Sequence, residues 1–342
     1  MIITTTGYYA TGSSAVFNLL EEYSSCTAGK LSGGDYENVA FYTPDGLFDL
    51  EDKLLVGNSI HRSDEAIKSF IKRMEILNKN DFIWMGGYKK MYGMAFEDNY
   101  MRLAESLIQY RLGGHWQGHY EGNRYNMRYI VGGIKNKFLK KPILGDFGKT
   151  AYFNSDASLL YSFVSPVEFY SRGREFVRNY FQMLLEGENK NLIINHAILP
   201  HNLFRIPNYF DEDFRVVVVD RDPRDVYVQV RYKKKNQRIP TELKEFVSFW
   251  KKLRECETKI EDSRIVRVQF EDLIYRYEET KKTIEEKCNL DPKTHVVPKT
   301  IFNPSVSIKN THMYEDNPAW KEEIQYIEKE LSEYLYDFSA VI

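Results

Sequence analysis

The chain has 342 residues, 43% of them hydrophobic and 28% charged, with a formal net charge of −2. That is room for a real core in one large α/β domain with insertions, or in two smaller domains. The charge balance argues against a nucleic-acid partner, which needs a broad basic excess, and no run of eighteen apolar residues exists to span a membrane.

A short apolar strand begins at Ile2 and meets a glycine-containing turn, Gly7 to Gly12. Val16, Leu19, Leu20 and Tyr23 then recur at helical spacing, which predicts a helix from about Ser13 to Tyr23. An extended segment near Asn38–Tyr42 precedes the turn Pro44-Asp45-Gly46. Amphipathic helices are predicted over Asp64–Leu77 and Phe96–Tyr110. Gly113–Lys141 is rich in Gly and Tyr and, from Arg124 onward, basic with no acidic residue, so it reads as an excursion from the core.

Ser165-Pro166-Val167-Glu168 places a capping Ser, a first-turn Pro and a Glu three residues on, and predicts a helix to about Leu185. Leu192–Asn195 reads as a strand, and Phe214–Val219 as a fully buried parallel strand. Asp222 caps a helix that starts at Pro223. Phe246, Phe249, Trp250 and Leu253 mark another helix, Ile265–Val268 another strand, and Trp320–Leu335 a closing helix. Strands that alternate with helices predict an α/β fold: a three-layer, doubly wound parallel sheet. No linker is visible, so one domain is expected over 1–342, with 89–165 as an insertion.

Cys26, Cys256 and Cys288 are scattered and odd in number, and no Cys/His cluster exists, so free thiols and no metal site are expected. The N-terminus has no basic region before an apolar stretch, so no signal peptide is predicted. Both readings point to the cytoplasm. Oligomeric state is not legible.

The segment Gly7-Tyr8-Tyr9-Ala10-Thr11-Gly12-Ser13-Ser14 lies between strand and helix. Glycines let a backbone curl around an anion, and the N–H groups and dipole at the helix start favour negative charge. Ser13 and Ser14 add hydroxyl donors. A nucleoside triphosphatase or kinase loop needs Lys where Ser13 stands, and a dinucleotide fold needs Gly-x-Gly-x-x-Gly. An ordinary βα turn is the plain alternative.

The pattern Gly-x-x-x-Thr-Gly-Ser-Ser resembles the 5′-phosphosulfate loop of the sulfotransferases that use 3′-phosphoadenosine 5′-phosphosulfate. Three later segments resemble the same family in order. Val216–Val219 leading into Arg221-Asp222-Pro223-Arg224-Asp225 is similar to the 3′-phosphate motif. Phe270-Glu271-Asp272-Leu273 is similar to the Tyr-Glu-Asp-Leu signature. Phe302-Asn303-Pro304 through Ser307-Ile308-Lys309-Asn310-Thr311 is similar to the segment that closes over the nucleotide. The resemblance covers residues 2–25 and roughly 190–335.

It implies a P-loop-like fold that binds this donor, with no metal, through Gly7, Thr11, Gly12, Ser13, Ser14, Arg221, Gln229, Lys309 and Asn310. A guanidinium suits bidentate phosphate binding, while Arg224 and Asp225 read equally as a structural ion pair and Phe270–Leu273 reads as structural. Two positions depart from the family: Ala10 stands where a loop Lys or Arg is usual, and Gln229 where Ser is usual. The acceptor hydroxyl or amine needs a general base, with Glu37 and then His196 as candidates. Arg62 and Lys309 are candidates to supply the cation that Ala10 lacks, and Arg62 is also a candidate substrate-binding residue. In the excursion, Trp116 is placed to stack on a sugar, as are neighbouring tyrosines, and Arg124 to attract an acidic group, so a carbohydrate or glycoconjugate acceptor is expected. The alternatives are a nucleotide- or glycan-binding protein of the same fold without catalysis, and a kinase-like enzyme.

Overall fold

The structure is a computed structural model that describes residues 1–29, 39–79, 87–113, 158–185, 190–233 and 238–340. Its strands are β1 (Ile2–Gly7), β2 (Cys26–Ala28), β3 (Tyr110–Gly113), β4 (Ser158–Tyr161), β5 (Asn191–Asn195), β6 (Phe214–Asp220) and β7 (Ile265–Gln269). Five of them form a parallel sheet in the order β2-β5-β1-β6-β7. β1 is central: Thr4 pairs with Ile194 on one side and Val216 on the other.

The period of two in a strand sends neighbouring residues to opposite faces. Ile193, Val217 and Val219 pack with Val16, Leu19 and Leu20 of α1 (Ser13–Leu20) and with Ile284 of the helix Tyr277–Lys287. Leu192, Ile194, Val216 and Val218 pack on the other face, against α2 (Leu47–Leu55), α3 (Ile60–Lys79), α4 (Ala95–Leu107) and α5 (Pro166–Leu184). Helices on both faces of a parallel sheet make three layers. A third cluster joins Val226 and Tyr227 of α6 (Pro223–Val228), Trp250 of α7 (Leu243–Glu255) and Ile327 of the helix Lys321–Glu330.

The start of α5 follows its sequence. The Ser165 hydroxyl accepts from the Glu168 N–H at 3.3 Å, and the Glu168 carboxylate accepts from the Ser165 N–H at 2.9 Å. Asp222 likewise caps α6, accepting from the Arg224 N–H at 2.8 Å.

Three expectations change. Residues 39–42 form no strand: the carbonyls of Ala40 and Phe41 accept from the N–H groups of Leu47 and Phe48, so they cap α2 instead. Tyr110 does not end α4 but opens β3, which pairs antiparallel with β4. The closing helix spans Lys321–Glu330, and a separate 3-10 turn follows at Ser332–Tyr334. The expected insertion also divides. Phe96, Tyr100 and Leu103 are buried in the main core, so that part of 89–165 belongs to the fold itself. The β3–β4 ribbon brackets residues 114–157, which lie outside the described residues.

Candidate functional site

The chain leaves β1 toward β2 on one side, while β6 and β7 lie on the other. The carboxyl ends of β1 and β6 therefore flank the point where winding reverses, where open α/β sheets bind ligands. The loop between β1 and α1 carries left-handed residues at Tyr9 (φ 57°), Ala10 (φ 56°) and Gly12 (φ 91°). Two of the three bear side chains, at a cost of about 1–3 kcal/mol each that surrounding contacts must offset.

Those contacts come from Thr11 and Tyr8. The buried Thr11 hydroxyl accepts from the Tyr8 N–H at 3.0 Å and donates to the Val219 carbonyl at 2.7 Å. Gly7 permits this staple, since a Cβ there would sit 2.3 Å from Thr11 Oγ1. The Tyr8 hydroxyl donates to Glu257 and accepts from Arg267 at 3.1 Å. Gly7 and Thr11, both expected at the cofactor, shape the loop from inside and are not among the residues that line the cleft beside Gly12.

Gly12, Ser13 and Ser14 face a cleft of roughly 1040 Å³, together with Arg221, Gln229 and Lys309. No side chain caps α1 at Gly12, so the helix presents its N-terminal end to this space. Lys233 and Lys299 add cations, and the one lining carboxylate among the described residues, Asp316, pairs with Lys233 at 2.9 Å. Gln229 and Lys233, at the two ends of a π-helical turn that follows α6, line the same wall.

Arg221 is 3% exposed and stands at the carboxyl end of β6. Its Nη1 donates to the Ala10 carbonyl at 3.2 Å and to Gln229 Oε1 at 2.6 Å, and its Nη2 to the Asn310 carbonyl at 2.5 Å. Its Nε is buried with no partner among the described residues. Every one of these acceptors is neutral. The Phe270 ring lies 4.9 Å from the guanidinium carbon. Burial lowers the Arg221 pKa, against the pull of Asp225, Glu271 and Asp222.

Those acids are fully buried and do not line the cleft. Burial raises the Asp225 carboxyl to about 7, although it accepts from the N–H groups of His312 (3.0 Å) and Met313 (2.7 Å). Burial raises Glu271 to about 8; its Oε1 accepts from the Asp222 N–H at 3.0 Å. Arg224 bonds to Asp222 at 2.7 Å and Glu328 at 2.9 Å. Arg224 and Asp225 are thus engaged in structural contacts, in keeping with the ion-pair reading of the sequence.

The cleft's far wall is anchored on Glu22, at the end of α1. This fully buried carboxylate accepts from His295 Nε2 at 2.7 Å and from the N–H groups of Lys299, Ile301 and Phe302 at 2.8–3.0 Å. Burial opposes its ionisation, but His295 and the three N–H groups outweigh it and hold the pKa below the usual range.

His196 lies just beyond β5, and its Nε2 is 3.3 Å from Ser13 Oγ. Lys309 is exposed in the cleft, and Asn310 lines it beside Arg221. Arg62 is elsewhere: its guanidinium donates to the Lys53 carbonyl at 3.0 Å and to the Asp52 carbonyl at 3.4 Å, so it caps the end of α2. Glu37, Trp116 and Arg124 lie outside the described residues. Lys233, Lys299, Phe270 and Glu22 were not singled out from the sequence as site residues. Phe270 alone had a signal, since its motif was recognised but read as structural.

No protein-family model, curated protein or solved structure gives a significant match to the chain.

Proposed function

We propose that the cleft binds a nucleotide bearing two separated phosphate groups, and that the chain transfers a sulfuryl group from 3′-phosphoadenosine 5′-phosphosulfate to an acceptor hydroxyl or amine. The observation that carries this reading is Arg221: a buried guanidinium, bonded among the described residues only to neutral oxygens, on the same cleft as an uncapped helix start. A buried cation without a counter-charge in contact is costly, and an anion offsets that cost. The two anion positions, at α1 and at Arg221, suit a 5′-phosphosulfate and a 3′-phosphate.

Sulfuryl transfer draws its catalysis from positioning and from charge stabilisation at the leaving oxygen. The loop N–H groups, Ser13 and Ser14 meet the phosphosulfate in this reading, and Arg221 with Lys309 meets the 3′-phosphate. The acceptor is a carbohydrate or glycoconjugate, and the setting is the cytoplasm. One feature favours a second reading, a nucleotide-binding protein without turnover: Ala10 leaves the loop without a cation of its own.

Thermal unfolding with adenosine 3′,5′-bisphosphate tests the first reading. Ligand at about 100 times its dissociation constant stabilises the fold by ~2.7 kcal/mol. The expected result is a rise in midpoint that Arg221→Ala abolishes. A rise with ATP and magnesium instead sinks the proposal. Labelled donor with a panel of glycans then separates turnover from binding alone.

A further inference from the structure

The loop Gly7–Ser14 contains no basic residue, yet it faces the place where negative charge must be held. Of its cleft-lining residues, Ala10 meets Arg221 through its carbonyl, and Ser13 meets His196 through its hydroxyl. Arg221 also holds Gln229 and Asn310, which ties it to the far side of the cleft. His196 reaches the helix start from the neighbouring strand, because β5 and β1 are adjacent and parallel. Its backbone is left-handed (φ 53°), and its N–H is fixed on the Thr5 carbonyl at 2.8 Å. A β-strand that ends in a strained residue, with the ring directed at the phosphate loop, is a conformation that its surroundings must hold.

We propose that His196 acts through Ser13 in place of the cation that the phosphate loop lacks. This rests on the reading of the cleft given above. In the transfer, the acceptor oxygen forms a bond to sulfur and the bond from sulfur to the bridging oxygen breaks. Its electron pair stays on the 5′-phosphate oxygen, and the acceptor's proton passes to solvent water. The new charge therefore accumulates beside Ser13. A His196 ring N–H that donates to Ser13 Oγ turns the hydroxyl hydrogen toward the nucleotide and stabilises that charge. Ser13 is the group in contact; His196 is a positioning residue. This assigns His196 to the leaving group and removes it as the base for the acceptor.

Binding of two nucleotides by calorimetry tests it. Adenosine 3′,5′-bisphosphate carries the 5′-phosphate, and adenosine 3′-phosphate lacks it. In His196→Asn, chosen because Asn tolerates a left-handed backbone, affinity for the bisphosphate falls roughly tenfold, as expected for a lost bond to a charged group. Affinity for the 3′-phosphate stays unchanged. Ser13→Ala shows the same selectivity, and Ser13→Ala/His196→Asn is no weaker than either single variant, because the two act as a unit. Equal loss for both nucleotides marks a merely structural role and overturns the assignment. No loss for either does the same. If the unaltered chain binds neither nucleotide, the reading of the cleft fails, and the inference with it.

Discussion

Arg221 Nη2 lies 2.5 Å from the Asn310 carbonyl, so the guanidinium at the end of β6 joins the strand to the C-terminal wall of the cleft. With Gln229 and Ala10 on its other nitrogen, this side chain spans three elements that are far apart in the chain. A planar fork is needed for that, and a point charge does not replace it. Arg221→Lys keeps the charge but loses the fork. Its affinity for adenosine 3′,5′-bisphosphate should fall at least about tenfold. Calorimetry checks this; unchanged affinity means the fork is irrelevant to the cleft.

Gly12 is the glycine of the loop that joins a left-handed backbone to a close side-chain contact. Its φ is 91°, and a Cβ would meet the Phe270 ring at 2.7 Å. Gly12→Ala should destabilise the fold by about 1–3 kcal/mol from backbone strain, with the clash adding to it. Gly12→Ala/Phe270→Leu should recover only the clash. Urea unfolding of the two variants separates the two costs, and full recovery in the double variant argues against backbone strain.

Glu22 carries the wall that includes Lys299, Ile301 and Phe302. Glu22→Ala leaves three buried or half-buried donors and His295 without their acceptor. The expected loss is about 3 kcal/mol or more, at the upper end for single substitutions. Because the folded carboxyl titrates below its ordinary value, its contribution is present above the unfolded pKa and is lost as pH falls through the folded one. Wild-type stability should therefore drop on acidification in a way that Glu22→Gln blunts, measured by denaturation between pH 5 and about 2.

Glu271 runs the other way. Its folded carboxyl is raised to about 8 by burial, and its Oε2 is buried with no partner among the described residues. Between the unfolded pKa and about 8 the folded chain binds the extra proton, so stability declines as pH rises through that window. The slope from one such proton is at most about 1.4 kcal/mol per pH unit. Glu271→Gln should make the decline from pH 5 to 8 shallower, leaving the part due to Asp225, whose carboxyl burial raises to about 7. A decline of equal slope in the variant rules out Glu271 as its source.

Much of the fold was legible because it is written locally. The capping box at Ser165, the Asp222-Pro223 helix start and the apolar run of β6 each depend on residues a few positions apart, and all three appear as read. The failures have a common cause. Val39–Phe41 is as apolar as a strand, but its carbonyls found donors at the start of α2, and only the folded chain decides which partner wins. The β3–β4 ribbon joins segments over forty residues apart, beyond the reach of any periodicity.

The site divides in the same way. Residue type and order determined that a glycine-containing loop would open α1 and that an arginine would end β6, since backbone freedom and strand burial are local properties. Which of those residues face the cleft was decided by tertiary structure. Thr11 turned inward to staple the loop to Val219, Arg62 was taken by the carbonyls of α2, and Lys233 paired with Asp316 on the cleft wall. Glu22 and His295 became one anchor across 273 positions. A buried polar group takes whichever partner satisfies it, and that partner is set by packing, not by its distance along the chain.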